Sequence, residues 1–262
     1  MKRALLPVLL ALAVASAGLP ATASAQNPET IRFGVDPSYP PFESKAADGS
    51  LVGFDIELGN AICAELKQKC VWVEQSFDGM IPALKARKFD AILSAMSATA
   101  SRRQQIDFTK RLYNGPSALI AHSGTALQPT AQALRGQRVG VVQGSTQESY
   151  ARAEWATKGV TLVSYQTQDQ IYQDLVTGRL DAAFQSSVQA DYGFLKTPRG
   201  KGFTLVGEPV SDSRVAGDVA IGLRKGDDAL GERLNQAIDA IRKSGSYQRV
   251  ASKYFSFDIY GN

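Results

Sequence analysis

Three clusters in this 262-residue sequence carry side chains that could grip a small charged molecule. The first is SAMSATASRR, in which Ser94, Ala95, Ser97 and Thr99 lead to Arg102 and Arg103. Hydroxyls beside a planar guanidinium fork suit a carboxylate held bidentately. Spacing alone does not choose between the two arginines, and either is equally readable as a solvated charge at a helix start. The second cluster surrounds DPSYPPF, with Asp36, Tyr39 and Phe42, and Asp55 further on. Acids beside aromatic rings suit a cation through charge-assisted bonds and cation–π contact. Asp55 also fits a helix N-cap before IELGNAIC, and Tyr39 fits loop packing. The third is GVVQGSTQ, where a glycine turn before a helix and the Thr146 hydroxyl favour an anion.

Nothing comparable points to catalysis. The sequence contains no G-x-S-x-G, no H-E-x-x-H and no G-x-x-x-x-G-K-[ST]. Its one histidine, His122, lies in the polar segment IAHSGTA and reads as a surface residue. No metal and no cofactor is expected.

The elements that would position these residues can be read from periodicity. TIRFGVD alternates as a strand and ends at PSYPPF, whose three prolines forbid helix. LVGFDIELGNAICAELKQK has helical spacing, CVWVEQ is a strand, FDGMIPALKARK a short helix and FDAILSA an apolar strand. The pattern restarts after NGPSALIAHSG with a strand, a glycine turn and a helix in QRVGVVQGSTQESYARAEWA. The strand TLVSYQ, the helix TQDQIYQDLVTG and the strand RLDAAFQ follow. DDALGERLNQAIDAIRKSGSYQRVASKYF reads as two amphipathic helices broken at Gly245. Strands alternating with helices imply parallel pairing and an α/β fold.

One echo links the two halves. KFDAILSAMSAT, Lys88 to Thr99, and RLDAAFQSSVQA, Arg179 to Ala190, share a basic residue, an Asp-Ala pair and a small polar cluster. The pairs lie 91 positions apart, too far for a solenoid period. Two lobes built alike would each present the carboxyl end of a strand, where open α/β sheets bind ligands. Ser94 and Ser186 would then face each other across one cleft. The alternative is that both segments are ordinary helix-to-strand turns with no shared site.

The N-terminus addresses compartment. Met1-Lys2-Arg3, the apolar run ALLPVLLALAVASAGLPA and the small-residue motif Ala23 to Ala25 read as a signal peptide cleaved before Gln26. Removing Lys2 and Arg3 from the 29 basic residues leaves 27 against 25 acidic, too near balance to suggest nucleic acid or anionic lipid. In an exported chain the close pair Cys63 and Cys70 reads as a disulfide.

With these residues assembled, the sequence resembles the periplasmic lysine/arginine/ornithine- and histidine-binding proteins of ABC importers. FGVDPSYPPFESKAADGSLVGFDIELGNAIC, LKARKFDAILSAMSATASRRQQIDFT, RVGVVQGSTQESY and SGSYQRVASKYFSFDIYG carry the resemblance. It implies the type II periplasmic binding fold: two α/β lobes joined by two hinge strands, with the ligand between them. Residues 26–114 and 214–262 would form the first lobe and residues 115–213 the second. A Cys63–Cys70 bridge matches one in that family. Carried over by position, Arg102 would hold the ligand α-carboxylate, helped by Ser97 and Thr146. Ser94 would offer its backbone carbonyl to the α-ammonium. Tyr39 and Phe77 would sandwich the aliphatic stem, and Asp36 and Asp55 would take the cationic end.

Two positions depart from the family: Ala95 stands for a serine, and Ser186 for the aspartate that pairs with the α-ammonium. Losing that charge-assisted bond costs about 1.5–3 kcal/mol, roughly one to two decades of affinity. The resemblance therefore implies a monomeric binder of a cationic amino acid, serving a membrane permease. An arginine-derived opine such as octopine or nopaline, with no free α-ammonium, is the alternative ligand. A cyclohexadienyl dehydratase-like enzyme on the same fold is a more distant alternative, since this cleft lacks a carboxyl group that the binders have.

Overall fold

β-Branched and aromatic runs set the scaffold of the computed structural model, which describes residues 30–261. The expected signal peptide, residues 1–25, lies outside the described residues. The strands Lys69–Glu74, Thr30–Val35, Ala91–Ile92, Gly217–Leu223 and Asp107–Gly115 form a five-stranded sheet in that spatial order. Its first three strands run parallel, with Thr30 opposite Lys69 and Phe33 opposite Ala91. Gly217–Leu223 is antiparallel to both its neighbours.

A second five-stranded sheet repeats this plan. Its order is Thr161–Tyr165, Arg138–Val142, Ala182–Ser186, Ser117–His122 and Phe203–Val210. Again the first three strands are parallel and the last two joined antiparallel. The chain leaves the first sheet after Gly115, enters the second at Ser117, and returns between Val210 and Gly217. The first sheet therefore takes strands from both ends of the sequence.

Helices cover both faces of each sheet, which is why the central strands are buried throughout rather than alternating. Against the first sheet, Phe54–Glu65, Asp228–Lys243 and Ser246–Tyr254 enclose a core that includes Phe33, Phe54, Leu58 and Ile238. Met80–Lys85 closes the opposite face over Phe89, Ile92 and Met96. In the second sheet Thr146–Glu154 packs beside Trp155 and Phe184. Gln168–Val176 covers the other face, over Phe194, and begins with a capping box between Thr167 and Gln170. The break expected at Gly245 is present: its φ of 74° is a left-handed turn between the two terminal helices. Only Ala91–Ile92 of the expected strand FDAILSA joins the ladder, because the chain then turns out toward the site.

The repeated Asp-Ala motif has a structural cause. The Asp90 carboxylate accepts from the Arg32 backbone N–H at 3.0 Å, from Nε at 3.1 Å and from Nη2 at 2.8 Å. Asp181 accepts from the same three groups of Arg138 at 2.7, 3.0 and 2.8 Å. Each aspartate thus clamps the second strand of its own sheet to the third, and the downstream ends of the third strands lead to Ser94 and Ser186.

Cys63 and Cys70 are bonded, tying the end of the Phe54–Glu65 helix to the edge strand Lys69–Glu74. Closing a loop of this length stabilises by about 2.5 kcal/mol in the chain-entropy model. The double variant C63S/C70S should therefore lose about that much unfolding free energy in denaturant titration while leaving ligand affinity within about twofold. A larger loss of affinity would show that the bridge shapes the site.

Candidate functional site

The two sheets meet across a cavity lined by residues of both. Nine of the ten expected site residues line it: Asp36, Tyr39, Phe77, Ser94, Ala95, Ser97, Arg102, Thr146 and Ser186. The echoed serines do face one cleft.

Asp55 is the exception. It lies in the first turn of the Phe54–Glu65 helix, fully buried and outside the cavity wall, and the N-cap position belongs to Gly53. It is thus neither a cap nor a wall residue. Its Oδ2 accepts from the Ala95 N–H at 2.8 Å and the Tyr113 hydroxyl at 3.1 Å. Ala95 has a φ of 46°, a left-handed conformation that costs a residue with a Cβ about 1 kcal/mol or more. The buried Asp55 carboxylate holds the chain in this bend just where it passes the cavity.

In place of Asp55, Glu43 lines the cavity. It is 1 % exposed, and its Oε1 accepts from the Ser94 hydroxyl at 3.0 Å. The same hydroxyl accepts from the Asp36 N–H at 3.0 Å, so Ser94 serves by its side chain as a strut between both acids. Glu43 Oε2 and Asp55 Oδ1 are shielded from water and have no hydrogen-bond donor. Burial raises the pKa of Asp36, against the pull of bonds from the Ser38 hydroxyl and the Phe77 N–H. Burial first, and then the neighbouring Asp55, push Glu43 well above the usual carboxyl range. Burial likewise brings Asp55 up to about 6. Sequence reasoning passed over Glu43 because alternation in a short hairpin gives no sign that a glutamate points inward.

Of the two arginines, only Arg102 is buried; Arg103 is exposed and rests on the Phe108 ring. Thr99 caps the short helix Ala100–Arg103, so Arg102 turns back into the cleft. Its Nη1 donates to the Ser97 carbonyl at 3.0 Å and its Nη2 to the Gly144 carbonyl at 3.1 Å, with the guanidinium over the Phe77 ring at 5.3 Å. No carboxylate pairs with it among the described residues. Burial lowers it to about 10, leaving it charged at neutral pH.

The wall from the second sheet is neutral. Thr146 begins its helix beside the Ser145 cap. The Ser186 hydroxyl caps the short helix Ser187–Ala190, accepting from the Gln189 N–H at 3.4 Å. Behind it lies a buried amide network that sequence reasoning missed. Gln168 donates to Gln185, and Gln185 donates to the Tyr172 hydroxyl and to Gln189. Gln168 and Gln185 reach the cavity, and Gln168 Oε1 is buried without a donor. These glutamines fall in helix and strand patterns where the sequence offers no sign of their convergence.

The lobes are closed on each other. Besides the Arg102–Gly144 bond, Tyr192 meets Phe255 edge to face at 5.7 Å. Gly144 has a φ of 73°, and a Cβ there would lie 2.9 Å from Asp78 Cα, so only glycine fits this contact. His122 lies at the surface against Phe203, far from any chemistry. No helix among the described residues is long and apolar enough to cross a membrane, and none of their His, Cys, Asp and Glu side chains form a group able to hold a metal ion.

Comparison with known proteins agrees with this geometry. Residues 31–257 match the bacterial extracellular solute-binding proteins, family 3. The chain is 48% identical to the lysine/arginine/ornithine-binding periplasmic protein of Escherichia coli K12 over 263 residues, covering all of both chains. It is also 48% identical to the histidine-binding periplasmic protein of the same strain over 262 residues, again over the full length of both. A solved structure of an ancestral arginine-binding protein bound to arginine superposes with a TM-score of 0.81 at 32% identity, covering 87% of this chain and 99% of the other. The chain belongs to the family 3 extracellular solute-binding proteins.

The acids give a prediction about pH. A carboxyl whose folded pKa is raised binds its proton more tightly in the native state, so its stabilisation is complete below the unfolded carboxyl range. It is lost as pH rises through the folded pKa. The ligand-free protein should thus become less stable from pH 5 to pH 8, with a slope of up to about 1.4 kcal/mol per pH unit for one proton. D55N, which keeps an oxygen for the Ala95 N–H, should flatten that slope in thermal unfolding. An unchanged slope would remove Asp55 from the titration.

Proposed function

We propose that this chain is the periplasmic binding component of an ABC importer and that it captures a cationic amino acid in the cavity between its lobes. One observation carries the ligand class: a buried guanidinium without a carboxylate, Arg102, shares a cavity with two acids without a cation, Asp36 and Glu43. A molecule with one carboxylate and a cationic side chain supplies both missing partners.

In this reading Arg102 holds the α-carboxylate bidentately, with the Thr146 hydroxyl and helix N-terminus and Ser97 beside it. Asp36 takes the side-chain cation, and Tyr39 and Phe77 enclose the aliphatic stem. Ser94 and Ala95 line the α-group. Ser186 gives only a hydroxyl where the resembling proteins have an aspartate, and Gln168 Oε1 is a neutral acceptor on the same wall. A buried acceptor left without a donor costs about 1–3 kcal/mol, which a ligand N–H would recover.

Residues 26–114 with 214–262, and residues 115–213, would act as rigid lobes that open and close about the two crossings near Gly115 and Val210. The ligand shifts this equilibrium because only the closed form surrounds it. Export through residues 1–25, a monomeric state and delivery to an inner-membrane permease complete the proposal. The relatives named for lysine, arginine, ornithine and histidine support the ligand class.

The first test is calorimetric titration of refolded, ligand-stripped protein with arginine, lysine, ornithine, histidine, octopine and nopaline. At least one free amino acid should bind with strongly favourable enthalpy; response to the opines alone would overturn the assignment. Arg102→Met should weaken that binding by at least about thirtyfold, in line with 2–5 kcal/mol for losing one partner of a buried charge pair. Because Arg102 is unpaired in the ligand-free protein, its thermal midpoint should not fall. G144A should weaken binding by blocking closure, with both lobes still folded by circular dichroism.

A further inference from the structure

We propose that Glu43 is a ligand-contacting residue that shares one proton with Asp55, and that a cationic group arriving at Glu43 expels this proton to solvent. The ligand half of the statement rests on the proposed binding of a cationic amino acid; the shared proton does not.

The geometry carries the shared proton. Each carboxyl group has one oxygen engaged: Glu43 Oε1 by the Ser94 hydroxyl, Asp55 Oδ2 by the Ala95 N–H and Tyr113 hydroxyl. The other two oxygens, Glu43 Oε2 and Asp55 Oδ1, are buried and have no donor. The two side chains are neighbours: the Asp55 N–H donates to the Phe42 carbonyl, next to Glu43, at 2.9 Å, and the adjacent residues Ser94 and Ala95 hold one carboxyl each. Two bare ionised oxygens in that position would repel and remain unsolvated. One proton between them satisfies both, since a protonated carboxyl is a donor and an ionised one an acceptor.

The surroundings offer no other remedy. The groups acting on the pair are Asp36 just after the strand Thr30–Val35, Tyr39 on the hairpin, Tyr113 on the edge strand Asp107–Gly115 and Tyr247 on the terminal helix. None is a cation. Burial and mutual repulsion hold the proton on the pair toward neutral pH.

The coupling follows from which acid is exposed to the ligand. Glu43 lines the cavity and Asp55 lies behind it. A ligand cation at Glu43 replaces the positive charge that the proton provides, so the proton leaves and the pair becomes doubly ionised. Binding and proton release are then linked, and each changes the other's equilibrium by the same factor. Affinity for a cation should rise with pH, by up to about tenfold per unit for one proton, while the ligand-free pair still holds its proton.

Two measurements on the mature chain test this and separate its parts. The first needs no ligand: infrared spectra at pH 7 should contain the carbonyl stretch of a protonated, buried carboxyl, and E43Q and D55N should each lose it. Absence of that band from the wild type overturns the shared proton. The second is calorimetric titration with L-arginine at pH 7 in phosphate and in Tris, whose ionisation enthalpies differ widely. The observed heat should differ between buffers by an amount corresponding to release of a substantial fraction of a proton. E43Q should bind more weakly, with no buffer dependence and a flat pH profile from 5 to 8. Binding without buffer dependence, or the same dependence in E43Q, overturns the coupling. If the band is present and neither arginine nor lysine binds, the shared proton stands and the proposed ligand class fails instead.

Discussion

Arg102 is a cation that folding has removed from water without giving it an anion. Burying an ionised group unpaired is among the more expensive things a protein can do. Here two backbone carbonyls and the face of Phe77 solvate the guanidinium only partly. Much of the remaining architecture can be understood as what keeps that charge in place. Thr99 starts a single helical turn that aims the side chain inward, and the Ser97 carbonyl comes from the segment that bridges to Val219. The Gly144 carbonyl comes from the other lobe, so closure itself contributes to solvating the cation.

The other end of the same lobe's surface has the complementary character. Asp36, Glu43 and Asp55 crowd around the Ser94 hydroxyl and the bent backbone at Ala95. Negative charge concentrates there with no cation of the protein's own to balance it. A site divided into an unpaired positive end and an acidic end without a cation is poised for a molecule with the same polarity reversed. It is also sensitive to pH, because protons are the only other positive charges that reach the acids.

Two sheets with one plan make this division possible. The clamps Asp90–Arg32 and Asp181–Arg138 fix the third strand of each sheet in the same register relative to its second. Their downstream ends then converge on one cavity. The lobes are not equal in chemistry. All the charged wall residues belong to the first lobe, and the second contributes hydroxyls, amides and helix N–H groups.

How much of this was legible in the sequence depends on the range of the interaction. The strands, the helices, the break at Gly245 and the Cys63–Cys70 pairing follow from local periodicity, local turn chemistry and a short spacing. The echoed segments indicated two lobes of like design, and the resemblance carried by the quoted motifs implied a common site for Arg102, Asp36 and Thr146, which line one cavity. The role of Asp55 was not legible, because a carboxylate in a first helical turn looks the same whether it faces solvent, ligand or the N–H of a residue 40 positions away. Glu43 and the glutamines at 168, 185 and 189 were missed for the same reason. Their side chains meet only after strands distant in sequence are brought together. Sequence fixes which groups are available and which backbone they ride on. Which of them lose water, and so which change their charge, is decided only by tertiary packing.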